Sequence, residues 1–224
     1  MSRRVVVTGM GVVSPIANSI PEFSQALLNG KNGIGKISLF DTNDFSVKIA
    51  GEVKINFNEY IDKKELNRID RFTALALIAA QEAVEQSSIQ NAPNLERIGV
   101  IIGSGIGGIK TFEEQHSRLL KSPRRVSPFF IPAMISDIAP GHVSIKYGFK
   151  GPNYSLVSAC ATASHAIGDA YKMIKYGDAD AIVTGGTEAS ISPMSIAGFS
   201  NMKALTKNPD IDSASRPFDA NRDG

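Results

Sequence analysis

Apolar runs rich in β-branched residues alternate along this chain with stretches whose apolar positions recur every three or four residues, so strands and helices are predicted in turn. Arg4 to Thr8 reads as a short strand. Pro21 to Asn29 reads as a helix, with a proline suited to its first turn and Gly30 suited to its end. Val47 to Val53 reads as an edge strand. Asp62 to Gln86 reads as one long or broken helix; Ala74, Leu75, Leu77, Ile78, Ala79, Ala80 and Ala83 surround so much of its circumference that it should be largely buried. Arg97 to Ile102 is a strand entering Gly103-Ser104-Gly105-Ile106-Gly107-Gly108, followed by a helix from Ile109 to Leu120 and a loop from Pro123 to Pro132. Helix returns from Ala133 to Tyr147, open to interruption at Pro140 and Gly141. The last predicted elements are a strand over 153–158, a helix from Ala161 to Tyr176 and a strand from Ala181 to Thr184 that ends in Gly185-Gly186.

Ala163, Ala166, Ile167, Ala170 and Ile174 form a stripe on the helix after position 160, which predicts that this face packs on the sheet and that small alanines allow close approach. Strand and helix alternation of this kind predicts an α/β fold with a mainly parallel sheet covered on both faces. Functional groups of such folds gather at the carboxyl ends of strands. Cys160 stands at such an end.

It is the only cysteine among 224 residues. A lone cysteine is by default a small core hydrophobe. A thiol at the start of a helix, however, faces unpaired backbone N–H groups and the positive end of the helix dipole. Both favour the thiolate, and the same N–H groups can receive the charge of an oxyanion. A single cysteine excludes a disulfide framework and a cysteine-cluster metal site, and it suits a reducing compartment. The three consecutive valines near the start are too short for a signal peptide, and no stretch approaches the length of a membrane span. With a formal net charge of +2, no general electrostatic case for nucleic acid exists. A soluble, cytoplasmic protein is expected.

Gly103, Gly105 and Gly108 satisfy G-x-G-x-x-G between a strand and a helix, but no acidic strand end follows about 20 residues later. A tight turn lining a cavity is therefore preferred to a dinucleotide site. His116, His142 and His165 have neither metal-ligand nor triad spacing. His165 lies five positions after Cys160, about 140° around the same predicted helix, which argues against direct pairing and for a structural role. Lys63, Lys64 and Arg68 form one basic cluster and Arg124 and Arg125 another; solvated surface charge is the default reading, and an acidic or phosphate-bearing carrier the alternative if they converge.

Taken together, Val5-Val6-Val7-Thr8-Gly9-Met10-Gly11-Val12-Val13-Ser14-Pro15, Gly103 to Gly108, Ser127-Pro128-Phe129-Phe130-Ile131-Pro132, Ser158-Ala159-Cys160-Ala161, Gly177-Asp178-Ala179-Asp180 with Gly185-Gly186, and Ser215 to Gly224 resemble the elongating β-ketoacyl-[acyl carrier protein] synthases. The resemblance covers the whole chain. It implies a thiolase-like fold, of which residues 1–224 would be one half of a duplicated, layered α/β architecture with a mainly parallel mixed sheet. It also implies a homodimer that needs no cofactor or metal and performs a decarboxylating Claisen condensation.

By the same resemblance Cys160 is the acyl-accepting nucleophile and its backbone N–H an oxyanion donor. Ile106, Phe130 and Phe199 line the acyl pocket, with Phe130 contributed across the dimer interface. Lys63, Lys64, Arg68, Arg124, Arg125 and Lys203 face the acidic acyl carrier protein. The family's two histidines, lysine and glycine- and phenylalanine-rich loop are not in this sequence. The chain is therefore expected to be the N-terminal half of an enzyme about twice as long, inactive in condensation by itself. The alternatives are a non-catalytic structural half and a polyketide synthase subunit. Retention of the cysteine argues against a silent chain-length partner, and Ser127-Pro128-Phe129-Phe130 with the basic segments favours the elongating class over initiating synthases and thiolases.

Overall fold

The computed structural model describes residues 3–224. In chain order the elements are α1 (Ile20–Leu28), β1 (Gly35–Lys36), β2 (Ile49–Ala50), α2 (Lys63–Leu66), α3 (Arg71–Ser87), β3 (Ile98–Gly103), α4 (Ile109–Leu119), α5 (Phe130–Met134), α6 (Ile138–Tyr147), β4 (Asn153–Tyr154), α7 (Thr162–Tyr176), β5 (Ala181–Gly186) and α8 (Pro193–Asn201), with short 3₁₀ turns between some of them. The chain divides into two compact units. The first joins the segment ending at Val13 to Asn56–Ala189, and the second joins Ser14–Ile55 to Ser190–Gly224.

The first unit is built on a parallel sheet of order β4-β3-β5. β3 pairs with β5 from Ile98↔Ala181 to Gly103↔Gly186 and with β4 at Val100↔Asn153 and Ile101↔Tyr154. Every residue of β3 is buried, as expected of a central parallel strand. Ile101 packs with Ala166 and Ala170 of α7. Because side chains alternate across a strand, Ile98, Val100 and Ile102 face the other way. They too are buried, and α3 and α6 pack on each other and on the sheet. The fold class is α/β, as predicted.

The predicted 62–86 helix is broken in two. Asp62 caps α2 through the Lys64 amide and Asp70 caps α3 through the Phe72 amide. Two N-cap aspartates eight residues apart are two helix starts. The α3 segment from Phe72 to Ile78 is buried throughout. Around α7 the buried residues are Thr162, Ala166 and Ala170, with Met173 packed beside them. This face is rotated about 60° from the predicted stripe, and it leaves Ile167 53% exposed.

Four predicted elements of the first unit differ. Residues 4–8 form no strand, and Val6 and Val7 are exposed. The Met10 and Val12 amides instead donate to Gln86 Oε1 and Glu82 Oε2 on α3, and side chains at Gly9 and Gly11 would collide with the α3 backbone. The strand predicted over 153–158 stops after Tyr154 because the Ser155 amide donates to Asp137 Oδ1 at 2.9 Å instead of to a neighbouring strand. The 123–132 loop contains a 3₁₀ turn and the start of α5. The interruption of the 133–147 helix falls at 135–137, before α6, and Pro140 sits in the first turn of α6, where its missing N–H costs nothing.

The second unit holds the antiparallel pair β1–β2, α1 and α8. β2 covers only two residues of the predicted 47–53 strand. Beyond it, Glu52 turns its buried carboxylate onto the Ser38 and Leu39 amides and the Ser38 hydroxyl. Ile37, Val47 and Ile196 form its core, with Phe40, Phe45, Ala50, Ile191 and Leu205 packed around them. α8 was not predicted; Ser192 caps it and Pro193 begins it.

Candidate active site

Three strand ends meet in the first unit. After β4 the chain runs through Ser158 into a 3₁₀ turn, Ala159–Ala161, and then α7. Ala159 adopts φ 52°, a left-handed conformation that a residue with a Cβ enters at a cost of about 1–3 kcal/mol. The turn is held by the Ser158 amide, which donates to Thr162 Oγ1 at 2.8 Å. Cys160 is exposed and free, so the reading of a lone cysteine as a core hydrophobe does not apply. Its position differs slightly from the expected one: it precedes α7 by two residues, where a helix beginning at Ala161 would have placed it one residue ahead. Ala161, which precedes α7, caps it with no side chain, and the Thr162 amide that opens the helix donates to the Ala159 carbonyl.

The helix fits closely over the sheet because glycines line its path. A Cβ at Gly103 would run into Thr162 Cγ2 and the Leu156 carbonyl, and one at Gly186 would stand 2.6 Å from Ala163 Cβ. Gly105 continues from β3 into the glycine-rich turn, 3.9 Å from the Ala159 carbonyl measured at its would-be Cβ. The turn is closed by the Gly107 amide on Ser104 Oγ and by the Gly108 amide on the Met134 carbonyl of α5. Its outward amides are taken. Glu188, two residues past β5, accepts from Gly105 N at 2.8 Å and Ile106 N at 3.1 Å. A phosphate would need those donors, so the turn is not arranged as a dinucleotide cradle.

Ile106 and Phe130 both belong to this neighbourhood. Ile106 is 43% exposed on the glycine-rich turn, and Phe130 opens α5, which the same turn contacts, with its ring 6.4 Å from that of Phe112. Phe199 lies exposed on α8 in the second unit, and Lys203 follows that helix with φ 60°. Lys63 and Lys64 are exposed on α2, and Arg68, just beyond it, places its guanidinium 4.9 Å from the Phe129 ring centre. That stacking brings α2 to the Ser127–Phe130 segment, which itself follows the exposed Arg124 and Arg125 turn. The segment is fixed by the Ser127 amide on Gln115 Oε1.

None of the three histidines touches the thiol. His165 Nδ1 lies 2.6 Å from Ser158 Oγ, His142 Nδ1 is 3.4 Å from Glu65, and His116 stacks on Phe112. Among the described residues no group of three His, Cys, Asp or Glu side chains is placed to hold a metal ion, and no helix is long and apolar enough to cross a membrane. Glu188 and Thr162 are the site residues that sequence reasoning missed. Glu188 carried one usable signal, an acidic residue just after Gly185-Gly186 at a strand end.

The family model for the β-ketoacyl synthase N-terminal domain matches residues 2–224. The chain belongs to this family. It is 54% identical, over its full length and 55% of the relative's, to the 3-oxoacyl-[acyl-carrier-protein] synthase 2 of Staphylococcus aureus strain COL. With the protein of the same name from Synechocystis it shares 47% identity over 99% of this chain and 54% of that one. Among solved structures it superposes with a TM-score of 0.88 on the ishigamide ketosynthase/chain length factor, at 26% identity over 100% of this chain and 55% of that one. A type II polyketide synthase ketosynthase solved with its acyl carrier protein, AntDE:AntF, gives 0.85 at 30% identity, again over 100% and 55%. The chain thus spans about half the length of the curated relatives it matches.

Proposed function

We propose that this chain is the nucleophile-bearing half of an elongating β-ketoacyl-[acyl carrier protein] synthase, with Cys160 as the residue that carries the growing acyl chain. The observation behind this reading is a free, exposed thiol on a strained turn ahead of an uncapped helix start, within a family whose relatives carry that activity in their names. The Cys160 thiolate attacks the acyl thioester carbonyl and the phosphopantetheine thiolate of the carrier leaves. Malonyl carrier protein then loses CO₂; its carbanion attacks the Cys160 thioester, forming the new C–C bond and returning the thiolate. The Cys160 amide is offered as a donor to the oxyanion.

Ile106 and Phe130 are proposed as walls of the acyl pocket, Phe130 reaching it across a homodimer interface. The basic residues of α2, the Arg124–Arg125 turn and Lys203 are proposed to receive the acidic carrier in the cytoplasm; a relative solved with an acyl carrier protein supports that partner. The whole duplicated domain, of which residues 1–224 form the first half, is assigned the condensation step, and this chain alone is expected to lack it. Identity to the 3-oxoacyl synthases, 54% against 30% for the polyketide ketosynthase, favours the fatty acyl over the polyketide reading. The test is mass detection of the acyl adduct after incubating the full-length protein with acyl carrier protein thioester. An adduct on Cys160, lost in Cys160→Ala, is expected; an unmodified Cys160 overturns the reading.

A further inference from the structure

We propose that Glu188 is a positioning residue that fixes Ile106 at the pocket wall and so sets acyl chain-length selectivity. The inference rests on the reading of Ile106 as a pocket residue. Ile106 is 43% exposed, so little packing of its own holds it. What holds it is its backbone. One carboxylate oxygen of Glu188 accepts from two consecutive amides, Gly105 N at 2.8 Å and Ile106 N at 3.1 Å, and the other lies 3.4 Å from Ser104 Oγ.

Two consecutive amides on one charged acceptor fix the peptide planes on both sides of Gly105, and hydrogen bonds to an ionised acceptor are the stronger kind. The carboxylate can come so near only because residue 105 is glycine: an added Cβ would sit 2.8 Å from its oxygen. Glu188 is itself anchored. The preceding Thr187 donates its amide to the Gly103 carbonyl at 3.0 Å and its hydroxyl to the Phe72 carbonyl at 2.6 Å. The anchor therefore ties the Ile106 turn to both β3 and α3. Glu188 is exposed, so water can take over the freed amides when the carboxylate is removed. The fold is expected to survive while the turn loosens.

The experiment measures the second-order rate of Cys160 acylation in the full-length protein across a series of acyl carrier protein thioesters from short to long. Glu188→Ala should change the ratio of longest- to shortest-chain rates by about tenfold, the scale at which an apolar pocket resolves single methylenes. Glu188→Gln, which keeps one acceptor oxygen, should change it less, and it serves as the test variant if the alanine form does not fold. In an Ile106→Ala background the Glu188 substitution should leave the ratio unchanged, because the side chain it positions is gone. An unaltered ratio in the single variants, or the same change in both backgrounds, overturns the inference. Failure of the unsubstituted protein to acylate Cys160 at all is a different result, and it overturns the parent reading together with this one.

Discussion

The first unit is organised around a sheet whose central strand is buried at all six positions, whereas the second has two strands of two residues each and many of its turns closed by polar side chains. Glu52 closes one such turn on Ser38 and Leu39, Asp223 another on Thr206 and Lys207, and Asp210 a third on Asp212 and Ser213. The difference matters for chemistry. A thiol that must meet a carbonyl within a fraction of an ångström gains from a support that cannot relax, and close-packed apolar layers relax less than turns held by exposed hydrogen bonds. Cys160 belongs to the unit with the layers.

The comparison is broken most severely by cutting the same side chain from each core. Ile101→Ala, at a fully buried position on β3 beneath Ala166 and Ala170, should cost about 4–5 kcal/mol, because a cavity between sheet and helix cannot collapse. Ile37→Ala in the second unit should cost roughly 2–3 kcal/mol, since the side chain is 8% exposed and most of the residues packed on its cluster are only partly buried. Denaturant unfolding of the two variants checks the ordering; equal losses would mean that the second core is as rigid as the first.

A milder version adds an atom instead. Gly103→Ala pushes a methyl against Thr162 and the Leu156 carbonyl, which should cost about 1–3 kcal/mol and shift the start of α7. The sole cysteine makes the local effect directly readable, and the rate of Cys160 labelling by a small disulfide should change by at least threefold. Gly35→Ala, in β1 with nothing within 4 Å of the added Cβ, should be neutral or stabilising by up to about 1 kcal/mol. Unchanged Cys160 reactivity in the Gly103 variant would separate the thiol from the packing that is credited with holding it.

What was legible beforehand follows the same division. The Arg97 to Ile102 strand, the α3 burial and the helix after Cys160 could be read because continuous apolar runs and 3.6-residue periodicity mark layered packing. The glycine motif was legible as a tight turn, and Cys160 as a strand-end residue. The Glu188 anchor was not, because it exists only once β5 lies beside β3, and strand order is a tertiary fact. The valine run at 5–7 misled for a related reason: β-branched composition signals a fit to a sheet but supplies no partner strand. Short β1 and β2 left too few residues for any period to show. The exposure of Cys160 could not be read from its neighbours, since Ala159 looks like a core residue until its φ of 52° turns it outward.

The smallest expected effect concerns the acids that tie each unit. The hydrogen bond from Arg97, helped by one from Arg3 and by both positive charges, holds Asp180 below the ordinary carboxylate value. Asp223 is likewise held down, first by the Thr206 hydroxyl, then by the Lys207 amide, with the Arg216 charge a lesser cause. A carboxylate whose folded value is depressed stabilises the fold above its unfolded value, near 3.9, and that stabilisation disappears as pH falls through the folded value. Both units should therefore lose support below about pH 4, but they should answer salt differently. At ~1 M salt, where the screening length is about 3 Å, Asp180 should titrate closer to 3.9, because charge contributes to its depression through two guanidinium groups. Asp223 should move less, since its principal donors are a neutral hydroxyl and a backbone amide. NMR titration of the two carboxyl carbons at low and high salt measures the contrast, with Asp180→Asn and Asp223→Asn assigning the signals. Equal salt shifts would show that the second unit is tied by charge as much as the first, and the distinction drawn between their turns would fail.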